Sequence, residues 1–374
     1  MQQLTVKAPG RINLIGEHTD YNEGFVMPAA IQKAATVNIE QRTDRSIHLF
    51  AEDLQDTYIL SLDTVTKSSK DWANYIIGVI AQFQKVSNIP KGFTLRLKSD
   101  VPIGAGLSSS AAIECAVAFA INELFAMGFD RMQLTKMAQK AEHEYAGVLC
   151  GIMDQFASMY GKKDQVILLD CKTMEYQYYP LQLEHYDIVL LDTQIKHALA
   201  SSEYNTRRQE CEQGIKLIHQ QYPSVNSLRD ASMDILNEMV DQKKYSKVYN
   251  RCKYVIEEIE RTQAAALDLK EGRLEAFGQK MYATHEGLSN LYEVSCPELD
   301  FLVSAVKDNS NVIGARMMGG GFGGCTINLI KKEATASVVQ KLVASYHKTF
   351  QKNLLTYEVN IDDGARILFP SITV

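Results

Sequence analysis

The chain has few of the features that mark secreted, membrane or nucleic-acid-binding proteins. Its 374 residues include seven cysteines, eight prolines and one tryptophan. The cysteines are odd in number and never spaced as Cys-x-x-Cys, which argues against a disulfide framework or a zinc site. Residues 1–7 contain no apolar signal region. The most apolar long run, 111–129, carries Glu114, Asn122 and Glu123, so we expect a core helix there and no membrane span.

An excess of positive charge is also lacking. Lysine and arginine total 39 against 45 aspartates and glutamates, a net charge of −6, which argues against nucleic acid as a partner. The apolar fraction of 46% and the charged fraction of 22% are typical of globular proteins. Because the chain exceeds what one core normally supports, two domains are expected. These properties predict a soluble, cytoplasmic protein without membrane or nucleic-acid partners.

Hydrophobic periodicity predicts a mixture of strands and helices. Asp71 is the expected N-cap of one helix, and Asp130 with Gln133 forms the expected capping pair of another. The character of the chain changes to long helical patterns over 201–301, where a second domain is expected to begin. Strands are predicted at 4–7, 35–41, 46–51, 57–62, 92–99, 165–170 and 187–193, and further helices at 71–87, 111–125 and 130–145.

A stretch rich in glycine and serine, 101–112, lies between a predicted strand and a predicted helix. Glycines let a backbone approach a ligand closely, and the first turn of a helix offers unpaired N–H donors, so the stretch could bind phosphate. One of its serines could ligate an accompanying metal ion. Such turns are also common as ordinary helix caps, and no Gly-Lys-Ser/Thr follows, so an ordinary helix cap is the alternative interpretation of this stretch.

The segment 8–24 gathers both signs of charge without strand or helix periodicity and is predicted to be a loop. Glu17, His18 and Asp20 have side chains that suit sugar hydroxyls. A solvated loop with local ion pairs is the alternative interpretation.

Further along, three acidic residues lie in unusual settings. Glu142 and Glu144 are near the C-terminal end of a predicted helix, where the dipole disfavours negative charge, so either a bound cation or simple solvent exposure would explain them. Asp154 follows Gly151 among apolar neighbours and could be a structural cap or a base tuned by a nearby cation.

The segment 314–327 contains Gly319, Gly321 and Gly324 in the pattern Gly-x-Gly-x-x-Gly. A dinucleotide-binding fold requires a helix after this pattern, whereas residues 325–330 have the pattern of a strand. In addition, roughly fifty residues follow the pattern, which is far fewer than such a fold needs. We therefore reject that fold, and the NAD-dependent oxidoreductase it would imply. A glycine-rich turn between two strands is predicted instead.

Together these segments resemble the galactokinase family of the GHMP kinases. Residues 10–31 match the galactokinase signature without a mismatch, and residues 102–112 resemble the family's ATP-binding motif. The turn 319–325 resembles the third motif, with Met318 where a threonine is typical. Two further segments also look like galactokinases, namely 151–156 and 296–300. The resemblance runs nearly from end to end.

The resemblance implies an α+β fold of two-domain GHMP-kinase architecture. An N-terminal domain with a mixed sheet and helices, 1–193, would be joined by the final strand, 355–374. The C-terminal domain, 194–354, would be ferredoxin-like, with the active site between the two. The implied activity is ATP-dependent transfer of the γ-phosphate to the C1 hydroxyl of α-D-galactose, the first committed step of galactose catabolism. Mg²⁺ would be the cofactor, and the enzyme is expected to be a monomer.

The same resemblance assigns roles by position. Asp154 would be the base and Arg11 would stabilise developing charge, while Ser110 and Glu142 would hold Mg²⁺. The galactose pocket would comprise Glu17, His18, Thr19, Asp20, Gly151 and Tyr204. ATP would contact Gly104, Ala105, Gly106, Leu107, Ser108, Ser109, Ser110 and, near the adenine, Trp72.

Two other functions remain open at this point. A related GHMP sugar kinase would act on N-acetylgalactosamine, galacturonate or arabinose. A non-catalytic galactose sensor is the more distant alternative, since such proteins have a damaged serine-alanine loop and residues 108–112 are intact here.

Overall fold

A computed structural model describes residues 2–181, 183–195 and 200–370. The strands are β1 (Gln3–Asn13), β2 (Phe25–Val26), β3 (Pro28–Gln41), β4 (Ser46–Ala51), β5 (Asp56–Ser61), β6 (Phe93–Ser99), β7 (Gln165–Asp170), β8 (Tyr176–Pro180), β9 (Tyr186–Asp192), β10 (Val312–Met317), β11 (Cys325–Lys331), β12 (Leu355–Val359) and β13 (Arg366–Pro370). The helices are α1 (Asp71–Val86), α2 (Ser109–Leu124), α3 (Arg131–Ala141), α4 (Met153–Tyr160), α5 (Ala200–His219), α6 (Met233–Met239), α7 (Ser246–Lys270), α8 (Leu274–Asn290), α9 (Pro297–Ser304) and α10 (Thr335–Phe350).

The largest sheet has the order β13-β1-β3-β6-β4-β5. The pair β4–β6 is parallel and the other neighbours are antiparallel, which confirms the predicted mixed sheet. Helices α2 and α4 pack on β1 and β3, and α1 and α3 pack on α2. The buried faces of these strands and helices form the largest apolar core of the described residues.

A second sheet, β10-β11-β9-β12, is entirely antiparallel. Helices α8 and α9 pack on β10, and α5, α6 and α7 extend from this half as a helical layer with its own apolar core. A small sheet, β2-β7-β8, packs beside the first. The predicted α+β class and the two sheet-based halves of the GHMP-kinase architecture are confirmed.

The exact division into domains remains a proposal. Strand β9 pairs with both β11 and β12, so it belongs to the second sheet, while β13 returns to pair with β1. We therefore propose that the division falls before Tyr186 and not after residue 193, and that of the segment 355–374 it is β13 that rejoins the N-terminal half, whereas β12 stays in the second sheet.

Two local predictions were wrong. Residues 8–13 are part of the predicted loop, but in the structure they continue strand β1. Both faces of the strand are buried there, so the alternation that predicts a strand is absent from the sequence. Asp71 lies in the first turn of α1, whose N-cap is Lys70. By contrast, the capping box of Asp130 and Gln133 is confirmed at α3. Among the described residues no helix is both long and apolar enough to cross a membrane.

Helix α8 approaches strand β10 closely at Gly278. A Cβ atom at this position would lie 2.0 Å from the backbone oxygen of Ile313, so the backbone itself would have to move. We expect Gly278→Ala to lower the free energy of unfolding by about 1–3 kcal/mol, the usual cost of overpacking. Urea unfolding measures the change, and Gln279→Ala, on the exposed side of the same helix, is the control. Equal unfolding midpoints for the two variants would contradict this account.

Candidate active site

A cavity of ≈ 540 Å³ opens between the two larger sheets. Three segments of irregular backbone border it: an acidic loop after β1 (residues 14–24), a serine loop before α2 (residues 101–110) and a glycine turn between β10 and β11 (residues 318–324). The first turn of α4 completes the wall. Its lining includes Arg11, Glu17, His18, Asp20, Gly104, Gly106, Leu107, Ser108, Ser109, Ser110, Glu142, Met153, Asp154, Tyr204 and Gly319.

Asp154 is the residue at which these segments meet. It lies in the first turn of α4, and its Oδ1 accepts a hydrogen bond from Nε of Arg11 at 2.8 Å. Its Oδ2 accepts a hydrogen bond from the hydroxyl of Ser108 at 2.5 Å. The carboxylate is thus held by one donor from β1 and one from the serine loop, and it remains at the cavity wall.

Arg11 is buried at the end of β1. Besides Asp154, its guanidinium donates to the backbone oxygen of Gly106 in the serine loop. Burial lowers the pKa of Arg11, but the neighbouring carboxylates of Asp154, Glu17 and Asp20 more than offset this effect and raise it. A buried cation is therefore maintained among three acids.

Glu17 is almost fully buried at the junction of the two halves. Its Oε1 accepts hydrogen bonds from the guanidinium of Arg316 at 3.1 Å and from the backbone N–H of Gly319 at 2.8 Å. The acidic loop is thereby attached to the glycine turn.

Asp20 lies against the backbone that leads into α4. A Cβ atom at Gly151 would lie 1.9 Å from Oδ2 of Asp20, so only glycine fits there. Burial raises the pKa of Asp20 to about 7, with further contributions from Asp154 and Glu17. The structure therefore brings Gly151 and Asp20, two predicted sugar-binding residues, into direct contact.

His18 is surrounded by aromatic rings. The ring centroids of Tyr204 and Tyr292 lie 5.2 and 4.8 Å from its own, and its Nδ1 lies 2.7 Å from the hydroxyl of Tyr21. Burial lowers the pKa of His18 to about 3, so the ring is neutral near pH 7. Its buried Nε2 has no hydrogen-bond partner within the described part of the chain, which leaves this atom for a ligand hydroxyl.

Thr19 is fully buried, and its hydroxyl lies within hydrogen-bond distance of the backbone oxygens of Gly16 (3.0 Å) and Phe25 (2.6 Å). These contacts close the acidic loop on itself. The side chain of Thr19 thus shapes the loop, and its predicted contact with sugar stays a prediction.

The serine loop presents backbone to the cavity. Gly104, Gly106 and Ser108 have positive φ values of 80°, 74° and 56°, which turn the chain into α2. The side chains of Ala105 and Leu107 are buried in the core, so these two residues anchor the loop from below. Ser109 and Ser110, in the first turn of α2, line the cavity, and the N–H groups of a first helical turn have no partner within the helix, as an anion site requires.

Ser110 and Glu142, the two predicted metal ligands, lie next to each other. The hydroxyl of Ser110 donates to Oε1 of Glu142 at 2.8 Å. Glu142 opens a π-helical turn, Glu142–Ala146, that continues α3, and such turns frequently occur at functional sites. Glu144, by contrast, is exposed and pairs with Lys85 at 2.5 Å. Of the two glutamates, Glu142 lines the cavity and Glu144 does not.

The surroundings of Glu142 suit a divalent cation. Burial and, to a smaller extent, the nearby Asp154 raise the pKa of Glu142 to about 7, although the hydrogen bond from Ser110 lowers it. Glu114 is buried beside it, and burial together with Glu142 raises the pKa of Glu114 well above its usual range. No cluster of three or more His, Cys, Asp or Glu able to hold a metal occurs within the described ranges. Mg²⁺ commonly takes one or two protein oxygens and completes its shell with phosphate and water, so the oxygens of Ser110 and Glu142 fit it.

Trp72 lies in the first turn of α1, where its indole N–H donates to Oδ2 of Asp56 at 2.9 Å. It lines a smaller, mainly apolar cavity of ≈ 170 Å³. That cavity shares Tyr75, Ile103, Ser109 and Ser110 with the larger one. The predicted position of Trp72 beside the adenine is compatible with this geometry and stays a prediction.

Two residues that matter for the site, Arg316 and Glu258, were missed by sequence reasoning, and the predicted residue Ser108 has a second contact. Ser108 holds Asp154, Arg316 holds Glu17, and Glu258 of α7 accepts the backbone N–H of Gly16 at 2.9 Å. Ser108 is a predicted phosphate contact, and its hydrogen bond to Asp154 was not predicted. Nothing in the helical pattern around Glu258 distinguishes it, whereas the position of Arg316 just before the glycine turn was a usable signal.

Family models match three parts of the chain. The galactokinase galactose-binding signature covers residues 2–41, the GHMP kinase N-terminal domain covers 74–162, and the GHMP kinase C-terminal domain covers 265–348. The matched ranges contain the acidic loop, the serine loop and the glycine turn.

Similar proteins extend the match to the whole chain. A galactokinase of Thermotoga maritima is 43% identical over 97% of this chain and 99% of its own length. A galactokinase of Clostridium acetobutylicum is 40% identical over 96% of this chain and 93% of its own. The crystal structure of Lactococcus lactis galactokinase complexed with galactose superposes with a TM-score of 0.94, at 35% identity, covering 98% of this chain and 95% of that one.

A mevalonate kinase of Methanococcus jannaschii shares the fold alone, with a TM-score of 0.66 at 18% identity, over 96% of this chain and 99% of that one. The signature, the two domain models and the full-length identity all agree with the geometry of the cavity. The chain belongs to the galactokinases of the GHMP kinase family.

Proposed function

We propose that the protein phosphorylates galactose, transferring the γ-phosphate of ATP to the C1 hydroxyl of α-D-galactose to give galactose 1-phosphate and ADP. The observation that carries the proposal is the double contact of Asp154, which accepts hydrogen bonds from Arg11 beside the acidic loop and from Ser108 in the serine loop. The full-length similarity to galactokinases supports the same activity. This reaction would be the first committed step of galactose catabolism.

Asp154 is the proposed base. Phosphoryl transfer depends on in-line positioning and charge neutralisation more than on covalent chemistry. As the C1 oxygen attacks the γ-phosphorus, its proton passes to the carboxylate of Asp154 and the bond to the leaving ADP oxygen breaks. Arg11 orients that carboxylate through Nε and steadies the charge that develops on the transferring group.

The proposed sugar pocket consists of Glu17, His18, Asp20, Gly151 and Tyr204. The unpartnered Nε2 of His18 and the carboxylates of Glu17 and Asp20 offer complementary groups for hydroxyls, and Tyr204 supplies an apolar face. Gly151 keeps the backbone close to Asp20. Such a mixture of a few polar groups and aromatic walls is typical of small-ligand sites.

The serine loop is the proposed phosphate site. Backbone N–H groups of residues 104–110 and the start of α2 would contact the phosphates of ATP, with Trp72 near the adenine. Ser110 and Glu142 are the residues that would hold Mg²⁺. When bound, the ion would neutralise charge on the β- and γ-phosphates.

We also propose that the enzyme acts as a monomer in the cytoplasm. Every residue of the proposed mechanism comes from one chain, so a second copy is not required to complete the site. The seven cysteines are free thiols, a state that a reducing compartment maintains.

We expect purified protein with ATP and Mg²⁺ to release ADP in the presence of galactose. The assay is repeated with N-acetylgalactosamine, galacturonate, arabinose, glucose, mevalonate and homoserine. Release with galactose and little with the others supports the proposal. A preference for one of the modified sugars would favour the related sugar kinases, and galactose binding without any ADP release would favour the sensor.

Asp154→Asn is expected to lower kcat by about 10²–10⁴-fold, the usual scale for loss of a general base. The amide retains an oxygen for Arg11 or Ser108, so the KM for galactose should change much less. Steady-state kinetics measure both constants. Asp164→Asn, an exposed carboxylate outside the cavity, is the control and should behave as the wild type. If Asp154→Asn turned over at the wild-type rate, positioning alone would carry the reaction.

Glu142→Gln is expected to raise the Mg²⁺ concentration that gives half-maximal rate by about tenfold or more, because the charged oxygen ligand is lost. Glu144→Gln is the matched control: this residue lies in the same helical turn but pairs with Lys85 on the surface. The measurement is a Mg²⁺ titration at fixed ATP. Equal shifts for the two variants would exclude Glu142 as the ligand.

A further inference from the structure

Arg316 is a fully buried arginine at the end of β10, in the second sheet. Its guanidinium extends across the junction to the first sheet. There Nε donates to the backbone oxygen of Leu14 at 2.8 Å, and Nη2 donates to the backbone oxygen of Asn13. One side chain therefore links the end of β1 to the strand that precedes the glycine turn.

The remaining donors of Arg316 are directed at the proposed sugar site. Nη1 and Nη2 each lie 3.1 Å from Oε1 of Glu17, and Nη1 also donates to the backbone oxygen of Met317 at 2.6 Å. All five N–H groups of the guanidinium are thus used. A planar fork with five donors can hold four acceptors at once, whereas a lysine has three donors on a single atom.

Glu17 in turn joins the two ligand-facing segments. The same Oε1 that accepts from Arg316 also accepts the backbone N–H of Gly319 at 2.8 Å. At Gly319 a Cβ atom would lie 3.4 Å from the backbone oxygen of Gly106, so the glycine turn lies directly against the serine loop. The position of Glu17 and the approach of the two loops are therefore set by one set of contacts.

We propose that Arg316 is a positioning residue for the sugar acceptor. It holds Oε1 of Glu17, which leaves Oε2 for a hydroxyl of galactose, and it keeps the acidic loop in register with the glycine turn. This inference rests on the proposed function, because it assigns Glu17 to the sugar. Arg316 itself does not line the cavity, so it would act through Glu17.

The test compares Arg316→Lys with Arg251→Lys. Arg251 is also buried and is paired with two glutamates, Glu210 and Glu293, but none of these three residues lines the cavity. For Arg316→Lys we expect the KM for galactose to rise by about 10- to 100-fold, because a small displacement of a positioning group has effects of that size. The KM for ATP should stay within about threefold, since the serine loop keeps its own contacts.

Arg251→Lys should lose thermal stability to a similar extent without the change in the KM for galactose. Three readouts separate positioning from general destabilisation: the KM of each substrate, the dissociation constant of galactose from calorimetry without ATP, and Tm. The calorimetric constant should rise in parallel with the KM for galactose.

The proposal is overturned if the two variants raise the KM for galactose equally, or if Arg316→Lys weakens ATP and galactose alike. It is also overturned if Arg316→Lys does not fold at 25 °C while Arg251→Lys does, because the residue would then act in folding and not in positioning. Failure of the proposed function is a separate result, since it appears in the wild-type protein as an absence of ADP release with galactose.

Discussion

The contact between Arg11 and Asp154 determines much of the surrounding architecture. A guanidinium buried at the end of β1 is costly unless its donors are paired, and removing one partner of such a pair typically costs about 3–5 kcal/mol. The partners of Arg11 are the carboxylate of Asp154 and the backbone oxygen of Gly106. Because both partners bond to Arg11, the first turn of α4 and the serine loop meet at the same end of β1. The proposed transfer requires this arrangement.

A surplus of buried acid is the second constraint. Glu17, Asp20, Glu142 and Asp154 line one cavity, and burial raises the pKa of both Asp20 and Glu142 to about 7. Arg11 is the basic residue in that lining. Such a site suits a ligand that brings its own cation, and ATP with Mg²⁺ satisfies this condition. The same surplus explains why Arg316 is placed behind Glu17, where it compensates one carboxylate without entering the cavity.

Sequence patterns were most successful where one face of an element is buried and the other is exposed. Strand β4 alternates strictly, and β4 and β7 have the predicted bounds. Residues 8–13 of β1 are buried on both faces, so they lack the alternation from which strands are predicted. The predicted neighbours Ser110 and Glu142 do lie together, although they are 32 residues apart in the chain.

From the sequence alone, the family, the mixed α+β class and most of the residues around the cavity could be predicted, because the motifs are contiguous and each depends on local backbone geometry. Only the tertiary structure showed that Glu142 and not Glu144 lines the cavity, that the hydroxyl of Thr19 bonds within its own loop, and that Arg316 lies behind Glu17. The reason is physical. The burial and pairing of a side chain depend on which distant segments pack against it. The sequence around a buried charged residue therefore does not indicate which residue it pairs with.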